Sequence, residues 1–248
     1  NYSGGGVTFF KSLDRVMYCK KRSITNYHYE WYDNGRLLNE FYYKTDTDLL
    51  HGVCTRYYSN GEKESETSYI NGVQDGFRRY YYSNGCIQNL ENLYKGSITG
   101  VRYTWYENGI VEKTMKYKDG VPEGELKVFS KETGSISKIV SFQNGKIHGN
   151  VTEYYNNGVV KSTVIYVDDW REGEYLEYHP NGTIKICCNY YHNLLDGNYY
   201  SWNELLQGQI VCHYKNGKLD GYHYKWNNIN KVFISEYKNG VLHKIFTT

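Results

Sequence analysis

The chain has 248 residues, with 29 Lys and Arg against 27 Asp and Glu and a formal charge of +2. That balance supplies no field for drawing in nucleic acid or an anionic membrane, and no stretch approaches the ~18 apolar residues of a transmembrane helix. Thirty Tyr, 25 Gly and two Pro combine a strand former with a turn former, so the composition is all-β.

Residues 1–25 stand apart from the rest. Asn1 to Gly6 lacks the charged-then-apolar order of a signal peptide. Asn in place of Met at position 1 reads as a truncated or processed chain. Val7, Phe9, Leu13, Val16 and Tyr18 alternate loosely before Lys20-Lys21-Arg22. The segment is expected to be an irregular N-terminal cap on a repeat array, with the basic triplet a solvated turn.

From residue 26 to 248 one unit recurs. Gly52, Gly76, Gly100, Gly124, Gly149, Gly173, Gly197 and Gly221 are spaced by 24 residues, with a single gap of 25 before Gly149. A second series falls at Gly61, Gly85, Gly109, Gly134, Gly158 and Gly182. A third falls at Gly72, Gly96, Gly120, Gly145, Gly217 and Gly240, with Asp169 and Asn193 filling its gaps. Self-similarity at such a period marks a repeat architecture. With the first-series glycine as position 1, position 6 is aromatic in every repeat: Trp31, Tyr57, Tyr81, Trp105, Phe129, Tyr154, Tyr178, Trp202 and Trp226. Position 12 is mostly aliphatic (Leu37, Ile87, Val111, Ile136, Val160, Ile184, Val232). Position 18 is mostly Tyr, with Leu93 as an exception.

Each unit reads as two short strands. Thr55-Arg56-Tyr57-Tyr58 runs into Asn60-Gly61, and Asn-Gly suits a two-residue hairpin turn with both residues at positive φ. Asn84-Gly85, Asn108-Gly109, Asn157-Gly158 and Asn181-Gly182 repeat the signal. The first-series glycines are read as turn residues, and a further turn such as Ile70-Asn71-Gly72 reverses the chain again. Two-residue geometry at Asn60-Gly61 sets position 7 (Tyr58, Tyr82, Tyr106, Tyr155) opposite position 12, with position 6 on the other face. About nine tandem β-hairpin repeats then build an elongated, twisted or curved antiparallel single-layer sheet of roughly 18 strands. Its stability comes from neighbouring repeats rather than from one globular core.

The unit Gly-x4-Tyr-Tyr-x-Asn-Gly-x-Ile/Val-x5-Tyr-x-Asn/Asp-Gly resembles the MORN repeat, above all its bacterial and large-virus variant. Gly149-Asn150-Val151-Thr152-Glu153-Tyr154-Tyr155-Asn156-Asn157-Gly158 and Lys215-Asn216-Gly217-Lys218-Leu219-Asp220-Gly221 carry the likeness. It covers about residues 26–244, and its strength is recurrence in phase. The standard repeat is slightly shorter and has more Gly before its Tyr. Membership implies a fold more firmly than a function. It implies scaffolds, membrane-junction elements and appendages to signalling enzymes, with variant arrays as immunity partners in bacteria and as abundant proteins of large DNA viruses of amoebae.

Departures from the array are where partner contacts concentrate in repeat proteins, neutral drift in an edge turn being the plainer alternative. Lys44-Thr45-Asp46-Thr47-Asp48 lengthens one turn, Ser130 to Gly134 adds a residue to another, and Asn203-Glu204-Leu205-Leu206-Gln207-Gly208 replaces an Asn-Gly loop. Thr45, Asp46, Asp48, Leu205 and Leu206 are therefore the candidate partner contacts. The six Cys form no C-x-x-C pair and read as free thiols of a reducing compartment. The residue before the repeat glycine is His51, Asp75, Glu123, His148, Glu172, Asp196 or Asp220. Adjacent copies lie ~10 Å apart, too far for one metal site. Motifs for hydrolysis, phosphate binding or metal catalysis are missing, so no catalytic residue, metal or cofactor is expected.

The expected function is a non-enzymatic, intracellular interaction scaffold or structural component of a large assembly, a virus particle included. The alternatives are an immunity-type binder of one protein, and a lipid- or glycan-binding surface. Protein partners and a multicopy assembly are expected; nucleic acid and membrane are not.

Overall fold

The computed structural model describes residues 27–205, 209–226 and 232–246; the expected cap at 1–25 and Leu206 lie outside them. The described residues form strands and no helix, and the chain divides into two compact units, 1–121 and 122–248.

In the first unit the strands are β1 (Tyr27–Trp31), β2 (Leu37–Tyr42), β3 (Gly52–Tyr57), β4 (Lys63–Ile70), β5 (Val73–Tyr81), β6 (Ile87–Tyr94), β7 (Ser97–Trp105) and β8 (Val111–Lys118). Each pairs antiparallel with the next. The second unit continues with β9 (Val121–Phe129), β10 (Ile136–Gln143), β11 (Lys146–Tyr154), β12 (Val160–Val167), β13 (Trp170–Tyr178), β14 (Ile184–Tyr191), β15 (Leu194–Trp202) and β16 (Gln209–Lys215). It ends with β17 (Lys218–Leu219), β18 (Gly221–Trp226), β19 (Val232–Lys238) and β20 (Val241–Phe246). These strands too form an antiparallel meander, β16 pairing with both β17 and β18.

The two kinds of turn exchange the roles expected of them. At Asn60-Gly61 the Tyr58 N–H donates to the Glu62 carbonyl (2.8 Å) and the Gly61 N–H to the Tyr58 carbonyl (2.9 Å). This is a three-residue loop, a type I turn closed by a left-handed residue, and within it Gly61 alone has positive φ (97°). Asn60 is there for its side chain: Oδ1 accepts the Glu62 N–H at 3.0 Å. Asn34, Asn84, Asn108, Asn157 and Asn181 do the same. The extra loop residue shifts the register, so position 6 pairs with position 12 (Tyr57 with Lys63, Tyr81 with Ile87, Trp105 with Val111) and position 7 leaves the ladder. The two-residue turn with both residues at positive φ occurs instead in the third series, as at Asn71 (51°) and Gly72 (80°) between the paired Ile70 and Val73.

The first-series glycines sit in strands rather than turns. Gly52 and Gly221 head β3 and β18; the other six lie inside a strand, and five of them, Gly76, Gly100, Gly149, Gly173 and Gly197, sit beside a bulge. Opposite the break between Thr67 and Tyr69, the single residue Ser68 faces Asp75, Gly76 and Phe77. All eight glycines have positive φ, from 74° at Gly100 to 107° at Gly221, a region where a Cβ collides with its own backbone. The bulge turns the preceding residue outward. Asp75, Glu123, Glu172 and Asp196 then accept the backbone N–H of Lys95, Asn144, His192 and Asn216 at 2.9–3.1 Å. Their side chains satisfy main-chain donors in the turn one hairpin on.

Burial peaks at position 16, a column to which the glycine and aromatic series give no clue. It reads Thr67, Glu91, Met115, Val140, Val164, Cys188 and Cys212, all buried. It pairs with position 3 across the hairpin, as in Arg78–Glu91, Val151–Val164 and Tyr175–Cys188. In the second unit the row is apolar, with Val140, Val151 and Val164 at its centre and Leu126, Phe142, Ile147, Tyr166 and Tyr175 packed on them. In the first unit the buried polar side chains gather: Thr55, Glu66, Thr67, Asn89, Glu91 and Thr104.

Candidate functional site

Position 6 lies on the face opposite positions 3 and 16, and there a second regularity emerges. Wherever position 6 is Trp, position 4 is Tyr: Tyr29 and Trp31, Tyr103 and Trp105, Tyr200 and Trp202, Tyr224 and Trp226. Where it is Tyr or Phe, position 4 is Thr55, Arg79, Lys127, Thr152 or Leu176. Residues two apart share a face, and the rings meet: Tyr103 on Trp105 at 5.8 Å and 23°, Tyr200 on Trp202 at 5.9 Å and 11°, Tyr224 on Trp226 at 5.8 Å and 23°. The first pair is more tilted, at 6.5 Å. Tyr29, Trp31 and Tyr103 are exposed. The Tyr-x-Trp spacing is the sequence signal for these pairs.

Position 7 performs a different task from packing on position 12. The hydroxyls of Tyr32, Tyr58 and Tyr82 donate to the carbonyls of Tyr57, Tyr81 and Trp105, each at 2.7 Å, and Tyr155 reaches Tyr178 at 2.8 Å. Each bond links a repeat to position 6 of the next. Beside them Asn60 Nδ2 donates to the Ser83 carbonyl at 2.7 Å and Asn157 Nδ2 to that of Pro180 at 3.0 Å. Tyr57, Tyr81, Trp105 and Tyr178 are thus held by neighbour-to-neighbour bonds through their own backbone.

The charged groups form separate clusters on the two faces of the first unit. On the aromatic face Glu66 receives Lys63 Nζ (2.5 Å), the Tyr81 hydroxyl (2.6 Å) and Arg79 Nη1 (3.5 Å). Burial alone would raise this carboxyl, but those hydrogen bonds outweigh it and hold the group below its ordinary value. On the other face Glu91, 1% exposed, lies between Arg78, which bonds Oε1, and Arg102, whose Nε is 3.3 Å from Oε2. Arg78 Nη1 also donates to Gln74 Oε1 (2.9 Å) and Arg102 Nε to Asn89 Oδ1 (3.1 Å). The sequence signal for this cluster is charge in an apolar register, arginines three residues into successive repeats flanking the column's lone acid; reading it requires the column itself, which the glycine and aromatic series do not mark.

The loop residues named from sequence stand clear of both clusters. Thr45, Asp46 and Asp48 are exposed on the loop between β2 and β3, where Tyr43 bridges Leu50 and Asp46 takes φ 58°. Leu205 is 74% exposed after β15. The two loops lie in different units. Cys54, Cys86, Cys187, Cys188 and Cys212 are free thiols; burial pushes Cys188 up to about 12 and Cys212 up to about 11, which keeps both protonated and unreactive. Among the described residues no group of three metal-ligating side chains comes together, and no helix is long and apolar enough to cross a membrane.

Tandem hairpins stacked by side-chain bonds to the next repeat define the class: a β-hairpin repeat protein. The family model of the MORN repeat variant matches residues 50–71, 98–119, 147–168 and 171–193, and the chain belongs to that family. MORN repeats are generally interaction repeats, with proteins or membranes as partners, and their all-β fold is typically non-enzymatic. No curated protein matches the chain.

Proposed function

We propose that the protein is a non-catalytic scaffold that binds other proteins through its aromatic face. The observation that carries this reading is the set of Tyr–Trp pairs, three of them closely packed ring on ring and two, at Trp105 and Trp202, tied through the Trp carbonyl to the preceding repeat, while several rings stay exposed. Large aromatics fixed before binding lose little entropy on contact and dominate protein interfaces. The balanced charge favours neither nucleic acid nor anionic lipid. Cross-linked recovery of tagged protein from its native source, with stoichiometry by mass spectrometry, tests the proposal. Cross-links confined to the Tyr–Trp face, lost in a Trp31→Ala, Trp105→Ala variant that still folds, support it. Recovery of the chain alone refutes it.

A multicopy structural role, in a virus particle for example, is the form of this reading in which coat or scaffold proteins are recovered in many copies. A binder of one protein is favoured by a specific observation, the exposed apolar Leu205 on a loop that breaks the repeat. One-to-one recovery with cross-links near Thr45, Asp46, Asp48 or Leu205 would select it.

A further inference from the structure

The Tyr–Trp pairs are unevenly spread. In the first unit Tyr29–Trp31 and Tyr103–Trp105 are separated by repeats with charge in the same register: Thr55 pairs with Glu66, Glu66 with Arg79 and Arg79 with Leu90. In the second unit Tyr200–Trp202 and Tyr224–Trp226 belong to successive repeats, with β16 alone between them. There Cys187, Tyr200, Val211, Tyr224, Ile234 and Phe246 pair in turn from β14 to β20, which sets them side by side on one face. All six are half-buried, and none is acidic or basic.

The fold does not require this apolar band. Position 4 is Thr55, Arg79 or Thr152 in other repeats and position 15 is Glu66, Thr114 or Thr163, in the same antiparallel ladder. Tyr222 enlarges the band, its ring 6.0 Å from those of both Tyr224 and Phe246, and it is exposed. A contiguous surface of rings and aliphatics, where the array accepts Glu and Arg, marks a contact site.

Spacing and chemistry select the occupant. Two strand spacings put the Tyr–Trp pairs ~9.6 Å apart. A polyproline II helix completes a turn in three residues of about 3.1 Å, so prolines three apart recur every ~9.3 Å and reach successive pairs. An extended strand returns a side chain to one face every ~6.7 Å and falls out of step. An α-helix returns after seven residues, ~10.5 Å, but its carbonyls are engaged in its own bonds. Polyproline II carbonyls are free, and a Tyr hydroxyl or Trp indole N–H at the rim of an apolar ring can donate to them. A sugar would bring hydroxyls that Val211 and Ile234 cannot pair.

We infer that the aromatic face of β15, β16 and β18 is a docking site for a proline-rich segment of another protein, held as a polyproline II helix with one prolyl ring on each Tyr–Trp pair. The inference rests on the reading of this face as a protein-binding surface and names the kind of segment bound. Decaproline titrated into the isotope-labelled full chain, with the indole N–H signals of its five Trp followed by NMR, tests it. The signals of Trp202 and Trp226 should move, and those of Trp31, Trp105 and Trp170 should stay. Affinity should fall about tenfold in a Tyr200→Thr, Tyr224→Thr variant. Thr stands at position 4 in Thr55 and Thr152, so this variant should still melt cooperatively above the temperature of the titration. Lys225→Ala, on the opposite face of β18, should bind as the wild type does. Unmoved Trp202 and Trp226 signals overturn the inference, as does unchanged affinity in the double variant. Tighter binding of a helical peptide with leucines seven apart, or of a neutral oligosaccharide, overturns it too. Partners cross-linked to the Tyr–Trp face of a chain that ignores decaproline would leave the scaffold reading standing and remove only this one.

Discussion

Because positions 3 and 16 carry charge in one unit and are aliphatic in the other, the cost of the buried Arg78–Glu91–Arg102 row can be measured against an internal control. Glu91→Val strips the carboxylate from between two arginines. Breaking a buried pair costs about 3–5 kcal/mol when the survivors stay dry. Here the Arg78 and Arg102 side chains keep 23% and 37% of their exposure and can regain water, so the expected loss is about 2–3 kcal/mol. Arg78→Leu, Glu91→Val and Arg102→Val together install the residue types of Leu126, Val140 and Val151, and this triple variant should return to within about 1 kcal/mol of the wild type or exceed it. Urea unfolding gives the stabilities, and hydrogen exchange should confine the loss to β5, β6 and β7. A triple variant as unstable as the single one would refute the reasoning, since the charges would then be needed by the fold itself.

Tyr58→Phe removes the hydroxyl bond to the Tyr81 carbonyl and should cost about 1 kcal/mol; Tyr155→Phe, in the other unit, should add to it independently, as read by thermal unfolding of the double variant. Gly76→Ala should be worse than Gly100→Ala, by roughly 1 kcal/mol in urea unfolding. Both positions have positive φ, but an added Cβ at Gly76 meets Ser68 Cβ at 3.0 Å and one at Gly100 meets nothing within 4 Å. The Glu66 carboxyl titrates below its ordinary value of 4.5 when folded. Its stabilisation is therefore complete above the unfolded value and disappears as pH falls through the lower, folded one. Glu66→Gln should flatten that acid limb of the stability curve, and an unchanged limb would assign it to other carboxylates. In the native protein a thiol reagent should label exposed Cys86 and spare Cys188 and Cys212 until urea is added.

The glycine phase makes the hairpin array legible, since a 24-residue period in Gly, Asn and Tyr leaves few other folds. What it hides is which turn is which. Asn-Gly is compatible with two loops, and the choice depends on whether the Asn backbone or its side chain does the work. Asn60 uses its side chain, whereas Asn71 adopts the left-handed backbone. That single difference moves position 6 opposite position 12 and frees the position-7 tyrosines to reach the next repeat. Position 16 is silent in the sequence because its residues share burial rather than chemistry: Glu91, Met115 and Cys188 have nothing in common as letters. The loops at Thr45 and Leu205 are visible as breaks in the period, but a break carries no information about what it contacts.

The position-7 tyrosine bonds, with those of Asn60 and Asn157, point the same way, from a repeat toward the main chain of its C-terminal neighbour. A nascent chain therefore offers hydroxyls whose acceptors have not yet been made. Tyr32 waits for Tyr57, Tyr58 for Tyr81, Tyr82 for Trp105. Synthesis from the N-terminus completes each bond as the next hairpin emerges, so the order of translation is also an order of assembly. A circular permutant opened between repeats would keep every residue and lose that sequence of events.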